Sequence, residues 1–198
     1  MKNNGEAVSP VVGVMLMLVV TIIIAAVVSG FAGGMAGGTE VAPNVAMEVK
    51  IDLAVSTGTP GYTAESMLFE HLSGDIIQTE DLQIITYHTL DNGTTVKKVN
   101  DKNSDSSEFT TYYGSTTVLP YLADYTDTGG LGNACAHFGN YTIAAGDIMV
   151  VPGTLDSDGT SALEQFLGFD PEAGDVVDVK ILHVPSEKYI YDKEVVVI

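Results

Sequence analysis

Between Ala7 and Thr39 the chain runs for 33 residues without one ionisable side chain. Within it, Val8–Phe31 reads VSPVVGVMLMLVVTIIIAAVVSGF, where only Ser9, Pro10, Gly13, Thr21, Ser29 and Gly30 are not apolar. A helix over Val11–Phe31 would be about 31 Å long at 1.5 Å per residue, close to the hydrocarbon thickness of a bilayer. The core helix of a soluble domain usually carries a polar stripe, and this segment has none. It belongs in lipid or inside a bundle of similar helices.

Three fates are open to such a segment. A conventional secretory signal has an apolar stretch of about 7–15 residues before a small-residue cleavage site. This stretch is longer, although the small residues after Ser29 suit such a cut. A lipoprotein would need a cysteine just after the apolar run, whereas the single cysteine is Cys135. An uncleaved anchor is physically adequate. The third fate rests on the polar leader Met1-Lys2-Asn3-Asn4-Gly5-Glu6-Ala7, too short to be a domain. Ser9-Pro10 then makes a good helix start: serine caps exposed amides, and proline at the first helical position has no amide to leave unpaired. A peptidase at the cytoplasmic membrane face could remove residues 1–7 and leave the helix whole.

The Glu6-Ala7-Val8-Ser9 junction and the following SPVVGVMLMLVVTIIIAAVV resemble the N-terminal domain of archaeal type IV pilins. The resemblance covers about 30 residues. It implies a prepilin peptidase cutting between Ala7 and Val8, with Glu6 preceding, so that Val8 becomes the new N-terminus. A cut after Gly5 is the alternative, but it would leave Glu6 on the helix. Bacterial type IV pilins carry a glutamate five residues into the mature helix; Val12 stands there, so their register-setting does not transfer. An archaellin fits less well, because its usual N-terminal motif is not Ser-Pro-Val-Val-Gly.

Residues 32–39 are glycine-rich, and five of the nine residues from Gly30 to Gly38 are glycine. The helix is expected to end or soften there. The segment reads as a flexible linker, as a hinge that lets a filament bend, or as small residues permitting close helix approach.

From Glu40 to Ile198 the composition changes. The chain holds 26 acidic residues and 8 basic ones, all lysine, for a net charge of −18. Lys2 and Glu6 cancel, so all 18 units lie beyond residue 39. A surface without arginine and with so few lysines argues against nucleic-acid binding. Val45–Val55 alternates almost without fault, as a half-buried strand does. Leu82–Thr89 is a second strand candidate, followed by the turn signal Asp91-Asn92-Gly93. Thr94–Val99, Phe109–Tyr113 and Ile148–Val151 are shorter candidates. Val176–Val184 and Tyr189–Ile198 form a hairpin about Pro185–Lys188. One short helix is expected at Ser161–Leu167, with Ser161 and Glu164 spaced as a capping box. Residues 114–146 lose periodicity and read as long loops, either plain connections or a contact surface. The expected fold is α + β: one long N-terminal hydrophobic helix, then an all-β, immunoglobulin-like antiparallel sandwich head over residues 40–198. Archaeal pilin heads are commonly such sandwiches.

Asn92-Gly93-Thr94 and Asn140-Tyr141-Thr142 are N-glycosylation sequons, which makes Asn92 and Asn140 candidate attachment sites. Asn92-Gly93 is equally a good hairpin turn. Asp156-Ser157-Asp158-Gly159 and Asp101-Lys102-Asn103-Ser104-Asp105 echo the start of a calcium loop, but neither is complete. Glu164 falls one residue short of the bidentate position, and the second run lacks the glycine. Solvated acidic turns are the better reading; Asp156 and Asp158 stand as the weak metal candidates, and no cofactor is expected. His71, His88, His137 and His183 show no ligand spacing. Cys135-Ala136-His137 lacks a third orienting group, so Cys135 reads as a buried structural residue.

The residues and the resemblance together imply a structural subunit, not an enzyme. It would be made as a membrane-held precursor, trimmed by prepilin peptidase, and moved by an assembly ATPase and membrane platform protein into a helical homopolymer used for surface attachment. An oligosaccharyltransferase is a further expected partner. The rival is a non-polymerising, single-pass anchored surface protein with a ligand-binding head.

Overall fold

The computed structural model describes residues 10–35, 40–56, 63–104, 108–110, 116–124, 133–154 and 159–198. The chain divides into two compact units, Met1–Thr39 and Glu40–Ile198.

The first unit holds one helix, α1 (Pro10–Met35). It continues past Phe31 through Gly33 and Gly34, four residues into the stretch expected to end it. Each glycine costs a helix about 1 kcal/mol relative to alanine, yet extending a helix already nucleated gains a hydrogen bond per residue.

The second unit is built from antiparallel strands, whose sequence order is β1 (Val45–Ser56), β2 (Thr63–Gly74), β3 (Ile77–Gln78), β4 (Leu82–Thr89), β5 (Thr95–Asn100), β6 (Glu108–Thr110), β7 (Thr116–Val118), β8 (Tyr121–Leu122), β9 (Thr142–Ile143), β10 (Ile148–Pro152), then helix α2 (Ala162–Leu167), β11 (Val176–His183) and β12 (Lys188–Val196). One four-stranded sheet runs β1-β2-β10-β8 and the other β12-β11-β4-β5; β3-β9 and β6-β7 are two-stranded ribbons. The two large sheets meet along one edge. Ile51 and Val197 form a parallel bridge there, flanked by Leu53 N–H to Ile198 O at 2.8 Å and Ile198 N–H to Ile51 O at 3.0 Å. On another side α2 touches β2, β5 and β10, so it contacts both sheets. Asn100 Nδ2 donates to Phe166 O at 2.9 Å, and Ser161 Oγ donates to Glu65 Oε2 at 3.2 Å. One core results, in which Met67, Phe69, Met149 and Val151 belong to one sheet, Ile84, Val177, Val179 and Ile181 to the other, and Leu163 and Phe166 to α2.

The expected order of one apolar helix followed by antiparallel β-sheets is what the chain forms. An immunoglobulin-like strand order is a finer claim than these sheets establish. Two regions differ from the sequence reading. The strand β2 was not expected, because Ala64, Glu65, Met67, Leu68 and Glu70 favour helices. It is nonetheless paired on both sides, with β1 along its length and with β10 over Ser66–Glu70. Burial between two strands overrides local propensity. Residues 114–146, read as long loops, contribute β7, β8 and β9 and the buried side chains Leu119, Ala136, Phe138, Tyr141 and Ile143. Residues 114–115 and 125–132 of that region lie outside the described residues, as do 111–113 of the candidate strand Phe109–Tyr113. At α2, Ser161 Oγ accepts the Leu163 amide at 3.2 Å, one residue earlier than a capping box places it, and Gly168 closes the helix at φ 83°.

Candidate functional site

The feature that sets this chain apart is α1. Over Val11–Phe31 every residue is exposed within the chain, from 46% at Val12 to 72% at Phe31 among the larger apolar side chains. Thr21 returns its hydroxyl to Leu18 O at 2.9 Å, so its polar group is satisfied inside the helix. A Cβ built on Gly13 or Gly30 would meet nothing within 4 Å, so no neighbour in the chain requires a glycine at either position. Fifteen large apolar side chains of α1 are exposed. Burying each is worth about 1.5–3 kcal/mol, so leaving all fifteen in water forgoes about 20–45 kcal/mol.

The cleavage-junction residues Glu6, Ala7, Val8 and the cap Ser9 lie outside the described residues, and Pro10 is the first residue of α1. Asp156 and Asp158 also lie outside them. In the other acidic run, Asp101 is engaged by its own turn. Its Oδ1 accepts from Asn103 N–H at 2.8 Å and from Ser104 Oγ at 2.8 Å, and Gln83 Nε2 donates to Oδ2 at 3.4 Å. Partial burial pushes the Asp101 carboxyl up, but the hydrogen bonds from Asn103, Ser104 and Gln83 outweigh it and hold the group below its ordinary value. Among the described residues no three His, Cys, Asp or Glu side chains converge as a metal would require.

The four histidines are dispersed. His71 is fully buried in β2, and neither ring nitrogen has a partner among the described residues. His88 stacks on Phe169 with ring centroids 4.1 Å apart, and its Nδ1 lies 2.9 Å from Val176 O. His183 Nδ1 lies 2.8 Å from Ser186 Oγ. Cys135 is exposed, contrary to the expectation of a buried cysteine. It sits in the tight turn Ala134–Ala136, whose buried residue is Ala136, while Asn133 Oδ1 accepts the Cys135 amide at 3.1 Å. Four grooves among the described residues hold about 260–460 Å³ each and are open.

One surface was not foreseen. Glu40 N–H donates to Pro185 O at 3.3 Å, and Asn44 is tied to Asp75 through Asp75 N–H to Asn44 O at 3.0 Å and Asn44 N–H to Asp75 Oδ2 at 2.8 Å. These bonds gather residues 40–44, the end of β2 and the β11–β12 turn at one end of the head. Val41 (92% exposed), Ile76 (69%), Leu72, Val184 and Tyr189 stand open there. No local pattern announces the patch, because its members come from three separate segments.

The sequons are both visible. Asn92 lies in the exposed tip of the β4–β5 hairpin, and Asn140 lies just before β9. Compared with known proteins, residues 6–47 match the family described as archaeal type IV pilin, N-terminal. No curated protein and no solved structure matches the chain. The match spans the junction, all of α1 and the first residues of β1.

Proposed function

We propose that this chain, which carries an archaeal type IV pilin N-terminal domain at residues 6–47, is a structural subunit of an extracellular type IV pilus used for attachment. The observation that carries the reading is α1: apolar on every side, exposed over Val11–Phe31 and matched by that domain. The N-terminal domain supports a pilin subunit role, and the pilin family is structural rather than enzymatic.

In this reading the precursor sits in the membrane through α1, with residues 1–7 in the cytoplasm and the head outside. A prepilin peptidase cuts between Ala7 and Val8. The cut removes Lys2 and Glu6, the charged side chains of the leader. The helix then leaves lipid only for an equally apolar surface, because exposure to water would cost tens of kcal/mol. Copies of the same helix provide that surface. The transfer is driven by an assembly ATPase through a membrane platform protein. A head-to-tail contact that does not close yields a helical filament, with acidic heads outside. The apolar end of the head around Val41 and Ile76 supports burial against neighbouring copies.

The test is the N-terminal residue of the protein sheared from cells that make the full chain, read by mass spectrometry. A start at Val8 in a filament fraction is expected. A start at Met1, confined to membranes, would leave an anchored surface protein instead.

A further inference from the structure

The two sequons stand in opposite situations. In the first, Gly93 N–H donates to Leu90 O at 2.8 Å, Gly93 adopts φ 81°, and Leu90 N–H donates to Thr94 O at 2.9 Å. This closes a tight loop between Thr89 and Thr95, which pair across the hairpin. Inside it Asn92 Oδ1 accepts the Thr94 amide at 2.8 Å. That bond fixes the carboxamide by its oxygen. Nδ2, the atom a glycan would join, has no partner among the described residues, and Asn92, Gly93 and Thr94 are all exposed. The second sequon is tied down at each of its three residues. Asn140 Nδ2 donates to Ala134 O at 2.9 Å, Tyr141 is buried with its hydroxyl on Pro120 O at 2.7 Å, and Thr142 is paired with Gln78 in the β3–β9 ribbon.

The geometry points to Asn92, and not Asn140, as the N-glycan attachment site of the folded head, with an oligosaccharide carried on a lipid phosphate as donor. In the transfer, Nδ2 of Asn92 bonds to the anomeric carbon as the bond from that carbon to the phosphate oxygen breaks. The electron pair leaves with the lipid phosphate, and one Nδ2 proton passes to a base of the transferase. The exposed Thr94 hydroxyl is free to meet the transferase. Asn140 and Thr142 are themselves exposed, but Asn140 Nδ2 can be reached by a glycan donor only once its bond to Ala134 O is broken.

This inference rests on export of the head, so export is measured on the same material. Intact cells making the full chain are treated with protease to show that the head is outside, and peptides from the recovered protein are mapped by mass. The variants are Asn92→Asp, which keeps the oxygen that accepts the Thr94 amide; Thr94→Ala, which keeps that amide; and Asn140→Asp. A glycan mass on the Asn92 peptide is expected in the unmutated chain and in Asn140→Asp, and its loss in Asn92→Asp and Thr94→Ala. A glycan on the Asn140 peptide, or a bare Asn92 on a protease-accessible head, overturns the assignment while leaving export intact. A head inaccessible to protease overturns the export reading and this assignment with it.

Discussion

Ile22→Asp separates the two demands built into this chain. Ile22 lies eleven residues beyond Val11 and nine before Phe31, so it is about 14–16 Å from either end of the apolar run. An aspartate is too short to reach water from there. Ile22 is 66% exposed, so within one chain the substitution breaks no packing, and the head should unfold at an unchanged temperature. In lipid or in a bundle of copies, a centrally placed aspartate costs about 2.5–3.5 kcal/mol and the isoleucine's favourable half kcal/mol is lost as well. The sum, about 3–4 kcal/mol, disfavours each apolar environment by roughly 100- to 700-fold. The assay is the yield of sheared filament, by immunoblot against the head, beside Ile22→Leu as the control that preserves apolar volume. Filament should vanish for Ile22→Asp and persist for Ile22→Leu. Wild-type yields of Ile22→Asp filament would refute the claim that α1 is buried on all sides in the assembly. A lower melting temperature of the head would refute the claim that residues 40–198 form a compact unit with a core of their own.

Phe69→Ala tests the head. Phe69 is fully buried in the doubly paired strand β2, so truncation should cost about 3–5 kcal/mol, read as a lower denaturant midpoint; a shift under 1 kcal/mol would mean that β2 is not central to the fold. Asp101 gives a pH signature. Its folded-state value is depressed below the ordinary 3.8, so it contributes stability above that value and loses it as pH falls through the lower folded one. The stability difference between the unmutated chain and Asp101→Asn should therefore shrink as pH drops below about 4, and a constant difference would contradict the turn geometry. Salt tests the assembly. All 18 net negative charges lie beyond residue 39, and the screening length grows from about 8 Å at physiological ionic strength to about 30 Å at 0.01 M. Filaments dialysed into dilute buffer should shorten or dissociate, and unchanged lengths by electron microscopy would count against repulsion between heads.

The elements legible in the sequence are those whose environment is written locally. Leu82–Thr89 was bounded to the residue, because Leu82, Ile84, Thr86 and His88 share one buried face and Asn92-Gly93 marks the turn that follows. The pair Val176–His183 and Lys188–Val196 was legible for the same reason: Val177, Val179 and Ile181 alternate with Asp178 and Lys180, and a proline-containing turn joins them. β2 was not legible. Its burial comes from β1 before it and β10, more than seventy residues later, and its own composition argues for a helix. Leu119, Phe138 and Tyr141 were lost for a related reason, since each is buried by non-local contacts such as Phe138 N–H to Val118 O and the Tyr141 hydroxyl to Pro120 O.

The same distinction runs through the candidate site, with one inversion. α1 was the most legible element of all, because its demand is written in its own residues. A helix with no polar face states the chemistry of its surroundings whatever they are, and only a bilayer or other helices of its kind can satisfy it. The patch around Val41, Ile76 and Tyr189 has the opposite character. Each residue is unremarkable in its own segment, and non-local pairing, with the hydrogen bonds from Glu40 to Pro185 and between Asn44 and Asp75, brings these segments together. The sequons fall between these limits. The motif names Asn92 and Asn140 alike, but what distinguishes them is which atom of each carboxamide is already spoken for. For Asn92 that is the oxygen, held by an amide two residues away. For Asn140 it is the nitrogen itself, held by Ala134 in a turn that the pattern of residues 114–146 did not reveal.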